Sequence, residues 1–134
     1  MITLAQVRDW LKTFGIAEHY YIGKLDNKLD KSIGVYSLKR SSPPTIALGG
    51  LRNTTYDIKS ISVLIHWNKN ADETEKAAYQ LFDKLLKLTN FQIGNTFVYY
   101  LKLNVPEPED VATDEKGVYE CVIEFDLYYE RNDE

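Results

Sequence analysis

The 134-residue sequence lacks most of what catalytic and cofactor-binding sites require. Its single cysteine, Cys121, cannot form a disulfide within the chain or supply a paired-cysteine zinc motif. There is no GxxxxGK[ST], GxGxxG or HExxH pattern, so nucleotide, dinucleotide and zinc-protease sites have no support. No run approaches the ~20 apolar residues of a membrane helix, and no charged leader precedes an apolar stretch at the N-terminus. We therefore expect no enzymatic activity, no cofactor and no membrane partner.

Candidate metal ligands are equally sparse. The two histidines, His19 and His66, have no cysteine or carboxylate at a spacing typical of a metal site. Because His66 ends an alternating segment, we expect it to be a surface or interface side chain. The loop from Asp26 to Asp30 places Lys28 where a calcium loop needs an oxygen ligand, which favours a simple turn. The sequence predicts no metal site.

Aromatic side chains and an uneven distribution of charge are what the chain does have. It contains ten tyrosines, five phenylalanines and two tryptophans, and aromatic residues are enriched at protein interfaces. The net charge of −4 divides into +5 for the first 106 residues and −9 from Glu107 onward. One interpretation is a solvated acidic end that keeps the protein soluble. The other is a surface complementary to the basic part of a neighbouring copy.

The clearest structural signal is strict alternation from Tyr119 to Tyr129. Odd positions are apolar or aromatic, whereas Glu120, Glu124 and Asp126 lie between them. A period of two places successive side chains on opposite faces of a strand, which predicts one buried face and one acidic face. Cys121 belongs to the apolar set, so we expect a buried, structural thiol.

The remaining pattern predicts a single α+β domain spanning residues 1–134. Thr3 and Gln6 form a capping-box pattern at the start of a predicted helix, which ends before Gly15. Asp72, Glu73 and Glu75 indicate the first turn of a second helix. Strands are predicted at 19–23, 32–38, 56–67, 97–105 and 119–129, with a short edge strand at 45–48. The first two are expected to form a hairpin. The order αβββαββ fits a mainly antiparallel sheet with two helices packed on one face.

Segment 106–116 is acidic and contains proline, so it is expected to be a mobile loop.

Several segments also resemble those of a known family. They are Ser-Ile-Gly-Val-Tyr at 32–36, Gly49-Gly50 with Tyr56-Asp57, Ser-Val-Leu-Ile-His-Trp-Asn-Lys-Asn at 62–70, Glu73-Thr74-Glu75, and Gly117-Val118-Tyr119 before the closing strand. Together they resemble minor capsid proteins of long-tailed bacteriophages and their prophages, and within these the tail terminators. The resemblance implies an α+β protomer that forms a hexameric ring. Such a ring caps the tail tube, stops its polymerisation and meets the head connector in a virion component made in the bacterial host cytoplasm.

A ring requires a head-to-tail interface in which two different surfaces of the protomer meet. The uneven charge suggests two such surfaces. The basic surface comprises Lys24, Lys28, Lys31, Lys39, Arg40 and Arg52. The acidic surface comprises Glu107, Glu109, Asp110, Asp114, Glu115, Glu120 and Glu124. The alternative is a small monomeric adaptor that binds one protein. The acidic balance of the whole chain argues against a specific nucleic-acid partner.

Overall fold

The structure is a computed structural model that describes residues 1–23, 29–38 and 56–131. The predicted α+β class is confirmed, with two helices and seven strands in this part of the chain. The elements are α1 Leu4–Lys12, β1 His19–Ile22, β2 Ser32–Ser37, β3 Tyr56–His66, α2 Ala71–Leu86, β4 Thr89–Ile93, β5 Thr96–Leu103, β6 Glu109–Thr113 and β7 Tyr119–Glu130. The edge strand predicted at 45–48 lies outside the described residues.

Both helices begin at side-chain caps. Thr3 accepts a hydrogen bond from the backbone N–H of Gln6, and the Gln6 side chain accepts one from the backbone N–H of Thr3, so the predicted capping box is confirmed. At the start of α2, Asn70 accepts a hydrogen bond from the N–H of Glu73 at 3.0 Å. Each bond satisfies a backbone donor that the first helical turn leaves unpaired.

The seven strands form one sheet in the order β1-β2-β3-β7-β5-β4, and β6 pairs with β7 beyond the end of β5. Every pairing is antiparallel except the one between β1 and β2. The predicted hairpin of these two strands is therefore wrong. The carbonyl of Lys31 accepts hydrogen bonds from Glu18 and His19, which shows that the chain returns to the start of β1 before β2 begins. The two strands therefore run in the same direction.

The core lies between one face of this sheet and both helices, as predicted. On β7, Cys121, Ile123, Phe125 and Leu127 are buried, which confirms the alternation. Leu81 and Leu85 of α2 belong to the same cluster. From α1, Trp10 lies edge-on to Phe125 with ring centroids 6.4 Å apart. In the described residues, neither helix is long and apolar enough to cross a bilayer.

Two strands appear that the sequence pattern did not predict, β4 and β6. A two-residue turn at Gly94-Asn95 joins β4 to β5. Gly94 has φ +59°, and a Cβ there would lie 2.9 Å from the Gln6 amide nitrogen, so only glycine fits this turn without strain. The second strand, β6, lies within the segment expected to be a mobile loop. All five of its residues are exposed, and its pairing with β7 is irregular. Mobility of segment 106–116 stays a prediction.

Candidate functional site: an acidic groove and a buried histidine cluster

An acidic groove of about 650 Å³ separates the first half of α2 from the segment that leads into β6. Four carboxylates line it, and the described part of its lining includes no lysine, arginine or histidine. They are Glu75 from α2 and Glu107, Glu109 and Asp110 from the segment opposite. The structure thus brings together three members of the predicted acidic surface and adds Glu75. We call these four residues the groove carboxylates.

A hydrogen bond crosses this groove and joins its two walls. The Tyr79 hydroxyl on α2 donates to a carboxylate oxygen of Glu107 at 2.9 Å. This bond is the main reason that the pKa of Tyr79 is raised, and charge repulsion from Glu107 and Glu75 adds to the shift. Because the phenol loses this bond on ionisation, the contact favours the neutral hydroxyl. While the hydroxyl is neutral, this bond links the acidic segment to α2.

Cys121 forms part of the groove floor and is only 7% exposed. Burial raises the pKa of its thiol to about 11, and the negative charges of Asp110 and Glu75 contribute to the shift. Both causes oppose formation of a thiolate. The predicted inert, structural thiol agrees with this environment.

A second cluster lies where β3 ends beside the start of β7. His66 is 1% exposed, and its Nδ1 lies 2.9 Å from Glu120 Oε2 and 3.8 Å from Asp114 Oδ2. Side-chain exposure is 9% for Asp114 and 12% for Glu120. The expectation that His66 is a surface or interface side chain is therefore wrong. A nitrogen and two carboxylate oxygens converge here, an arrangement that can bind a proton or a cation.

The local backbone orients the Asp114 carboxylate. Its Oδ1 accepts hydrogen bonds from the N–H groups of Lys116 at 2.9 Å and Val118 at 3.0 Å. Gly117 allows the turn because its φ is +84°. With Oδ1 turned toward the backbone of this turn, Oδ2 is the oxygen that approaches His66.

The other members of the two predicted surfaces are distributed as follows. Glu115 is exposed, and Glu124 is half-buried opposite Ser62 on the face of the sheet away from the core. Lys31 is partly exposed and lies 3.8 Å from Glu18. Lys24, Lys28, Lys39, Arg40 and Arg52 lie outside the described residues. The membership of both surfaces stays a prediction. The side chains of Asp114 and Glu120 are only 9% and 12% exposed, so they offer little surface to a neighbouring copy.

Tyrosines form a row on the sheet face opposite the helices. Tyr128 of β7 stacks on Tyr100 of β5 with ring centroids 4.4 Å apart, and Tyr56 of β3 lies 5.9 Å away on its other side. Tyr100 is 44% exposed. We call these three residues the tyrosine row. Rigid aromatic side chains of this kind supply much of the binding energy at protein interfaces.

A comparison with protein families gives a match that covers nearly the whole chain. The model of a family described as bacteriophage tail terminator protein matches residues 1–131. The chain belongs to this bacteriophage tail terminator family. It is a structural phage tail protein, and its family is not one of enzymes. No curated protein matches the sequence.

Proposed function

We propose that the protein is a virion component of a long-tailed phage that ends growth of the tail tube and joins the finished tube to the head connector. In this proposal it does so as a ring of copies, six by the family resemblance, and is made in the bacterial host cytoplasm. The observation that carries the proposal is the family match over residues 1–131. The term minor capsid protein, which comes from the family resemblance, would then refer to the position of this protein between head and tail.

Closure of a ring needs two different surfaces on each protomer. The groove carboxylates concentrate negative charge between α2 and β6. The basic surface of the next copy, Lys24, Lys28, Lys31, Lys39, Arg40 and Arg52, has the complementary charge. Exposed charge pairs contribute about 1 kcal/mol or less each, so their role would be to steer and orient neighbouring copies.

Affinity would come from exposed aromatic area more than from charge. The tyrosine row presents three rings across neighbouring strands, including the 44% exposed Tyr100. Burying such rings against another copy or against the tube removes apolar area from water, while each hydroxyl can still find a hydrogen-bond partner. This division of roles predicts that removing a tyrosine weakens assembly more than removing one charge does.

Addition of the protein to growing tail tubes tests the proposed function. Purified tube protein is allowed to polymerise alone and with increasing amounts of the full-length protein, and tube lengths are measured by electron microscopy. A terminator added early should shorten the tubes in proportion to its concentration. Added after growth is complete, it should leave tube length unchanged. Equal length distributions at all concentrations would contradict termination.

The alternative is a monomeric adaptor that binds one phage or host protein. Size-exclusion chromatography with light scattering, on the free protein and on material released from tubes, separates the two. A ring predicts a multiple of the protomer mass in at least the tube-derived sample. A single protomer mass in both samples, with one copy bound per tube end, would favour the adaptor.

A further inference from the structure

We propose that His66, Asp114 and Glu120 bind one divalent transition-metal cation of the zinc or manganese class. The site is independent of the proposed ring, because it lies within one protomer. Its ligand atoms, one imidazole nitrogen and one oxygen from each carboxylate, all lie within 4.8 Å of one another. Mixed nitrogen and carboxylate ligands suit these cations, whereas calcium and magnesium favour oxygen ligands alone.

The separations of the ligand atoms fit one ion. With bonds of about 2.0–2.2 Å, two ligands of a tetrahedral ion lie roughly 3.3 Å apart, and those of an octahedral ion about 3.0 or 4.2 Å apart. His66 Nδ1 lies 2.9 Å from Glu120 Oε2 and 3.8 Å from Asp114 Oδ2. These two separations are close to the expected values, and the third, between the two carboxylate oxygens, is at most 4.8 Å.

The three ligands come from three largely buried positions, with side-chain exposures of 1% for His66, 9% for Asp114 and 12% for Glu120. His66 and Glu120 are directly paired in the register of β3 with β7, so neighbouring ladders fix their backbones. Asp114 comes from the turn before β7, where two backbone N–H groups bond its other oxygen. Hydrogen bonds of this kind orient metal ligands in proteins. The imidazole is 99% buried, so it is a polar ring that cannot rely on bulk water for partners.

A cation can take the place of the hydrogen at Nδ1. Nδ1 carries at most one hydrogen, which it can donate to Glu120, whereas two carboxylate oxygens approach it. A cation in place of that hydrogen is coordinated by the nitrogen and both oxygens together. The exchange is balanced, since the cation enters and the Nδ1 hydrogen leaves to solvent or moves to Nε2. Three protein ligands leave at least one position for water.

Calorimetric titration of the chelator-treated, full-length protein with zinc and with manganese tests the proposal. We expect one ion per protomer, with zinc bound at least tenfold more tightly than calcium or magnesium. Glu120→Gln keeps the shape of the side chain but removes its charge, and it should weaken zinc binding on the order of 10- to 100-fold. Glu124→Gln makes the same change on the same strand face, and it should leave the affinity unchanged.

Two further variants keep the test decisive if one protein fails to fold. Asp114→Asn retains the oxygen that accepts the two backbone hydrogen bonds, and it should also weaken zinc binding. His19→Asn removes the other histidine and should have no effect. Zinc should raise the melting temperature of the wild type and of His19→Asn, but not that of Glu120→Gln. Absence of stoichiometric binding, equal affinity of Glu120→Gln and wild type, or loss of binding in His19→Asn would overturn the proposal.

Discussion

The Tyr79 hydroxyl donates a hydrogen bond of 2.9 Å to Glu107, which joins helix α2 to the acidic segment that precedes β6. The two residues are separated by 28 positions and lie on opposite walls of the groove. The sequence predicted a mobile loop at 106–116. In the structure the same segment has a side-chain contact near its start and an irregular strand after it.

We expect this contact to control proteolysis of the acidic segment. A glutamate-specific protease should cut the native protein first within 106–116, since all residues of β6 are exposed. Tyr79→Phe removes only the hydroxyl and should increase the cutting rate several-fold. Tyr99→Phe, at another exposed tyrosine, is the matched control and should have no effect. Full resistance of the segment in a proven monomer would contradict the predicted mobility.

The same bond should depend on pH. The pKa of Tyr79 is raised in the folded protein, so the contact is fully present below the ordinary tyrosine pKa of about 10 and is lost as pH rises through the folded value. Proteolysis of the segment should therefore accelerate above about pH 10 in the wild type. In Tyr79→Phe the rate should lack this rise, after correction for the protease's own pH dependence. An identical profile in both proteins would show that Tyr79 does not hold the segment.

Cys121 should resist labelling in the native protein. Its pKa of about 11 against an ordinary 9.0 leaves roughly 100-fold less thiolate at neutral pH, and burial restricts access to a bulky maleimide. The labelling rate, followed by mass spectrometry, should rise sharply in denaturant. Rapid labelling without unfolding would show that the face assigned to β7, or its burial, is wrong.

Phe125 should be among the most costly residues to truncate. It is fully buried and contacts Trp10 of α1, so Phe125→Ala should lower the free energy of unfolding by about 3–5 kcal/mol. Tyr128→Ala removes a ring from the other face of the same strand and should cost about 1 kcal/mol. Denaturant titration of both variants checks the difference. Equal losses would contradict the placement of the core on the odd-numbered face.

Sequence patterns predicted local features of this fold well. The capping box of Thr3 and Gln6 and the alternation of β7 depend on neighbouring residues, and both are confirmed. β4 was missed although Gly94-Asn95 is a recognised hairpin signal, because only Phe91 and Ile93 are large apolar residues in it. In β6 the one large apolar residue, Val111, is exposed, so no burial pattern existed to predict that strand.

Features that depend on distant residues could not be predicted in this way. His66 and Glu120 are 54 positions apart, and only the register of β3 with β7 brings them together. Asp114 joins them through a turn with no spacing motif. In the sequence, Glu75 is predicted only to lie in the first turn of a helix. In the structure it also lines the groove, because α2 packs beside the segment before β6. The parallel pairing of β1 and β2 likewise depends on the path of the connecting chain.

Assembly should depend on salt if charge orients the copies. At 1 M salt the screening length is about 3 Å, so exposed pairs between copies are largely screened. The ring, measured by sedimentation on material from tube ends, should shift toward protomers at high salt. A ring whose mass is constant from low to high salt would show that charge makes no contribution to its stability.

The most direct test of the terminator function is electron microscopy of purified tail tubes mixed with the full-length protein. We expect ring-shaped density at the tube end where growth stopped, and loss of that density when Lys28, Lys31 and Arg40 are replaced by glutamate. The same three-charge change at Lys69, Lys84 and Lys87, exposed lysines outside the basic surface, should leave the rings in place. Rings that persist in the first variant would remove the proposed interface. Tube ends without added density in the wild type would contradict the terminator function itself.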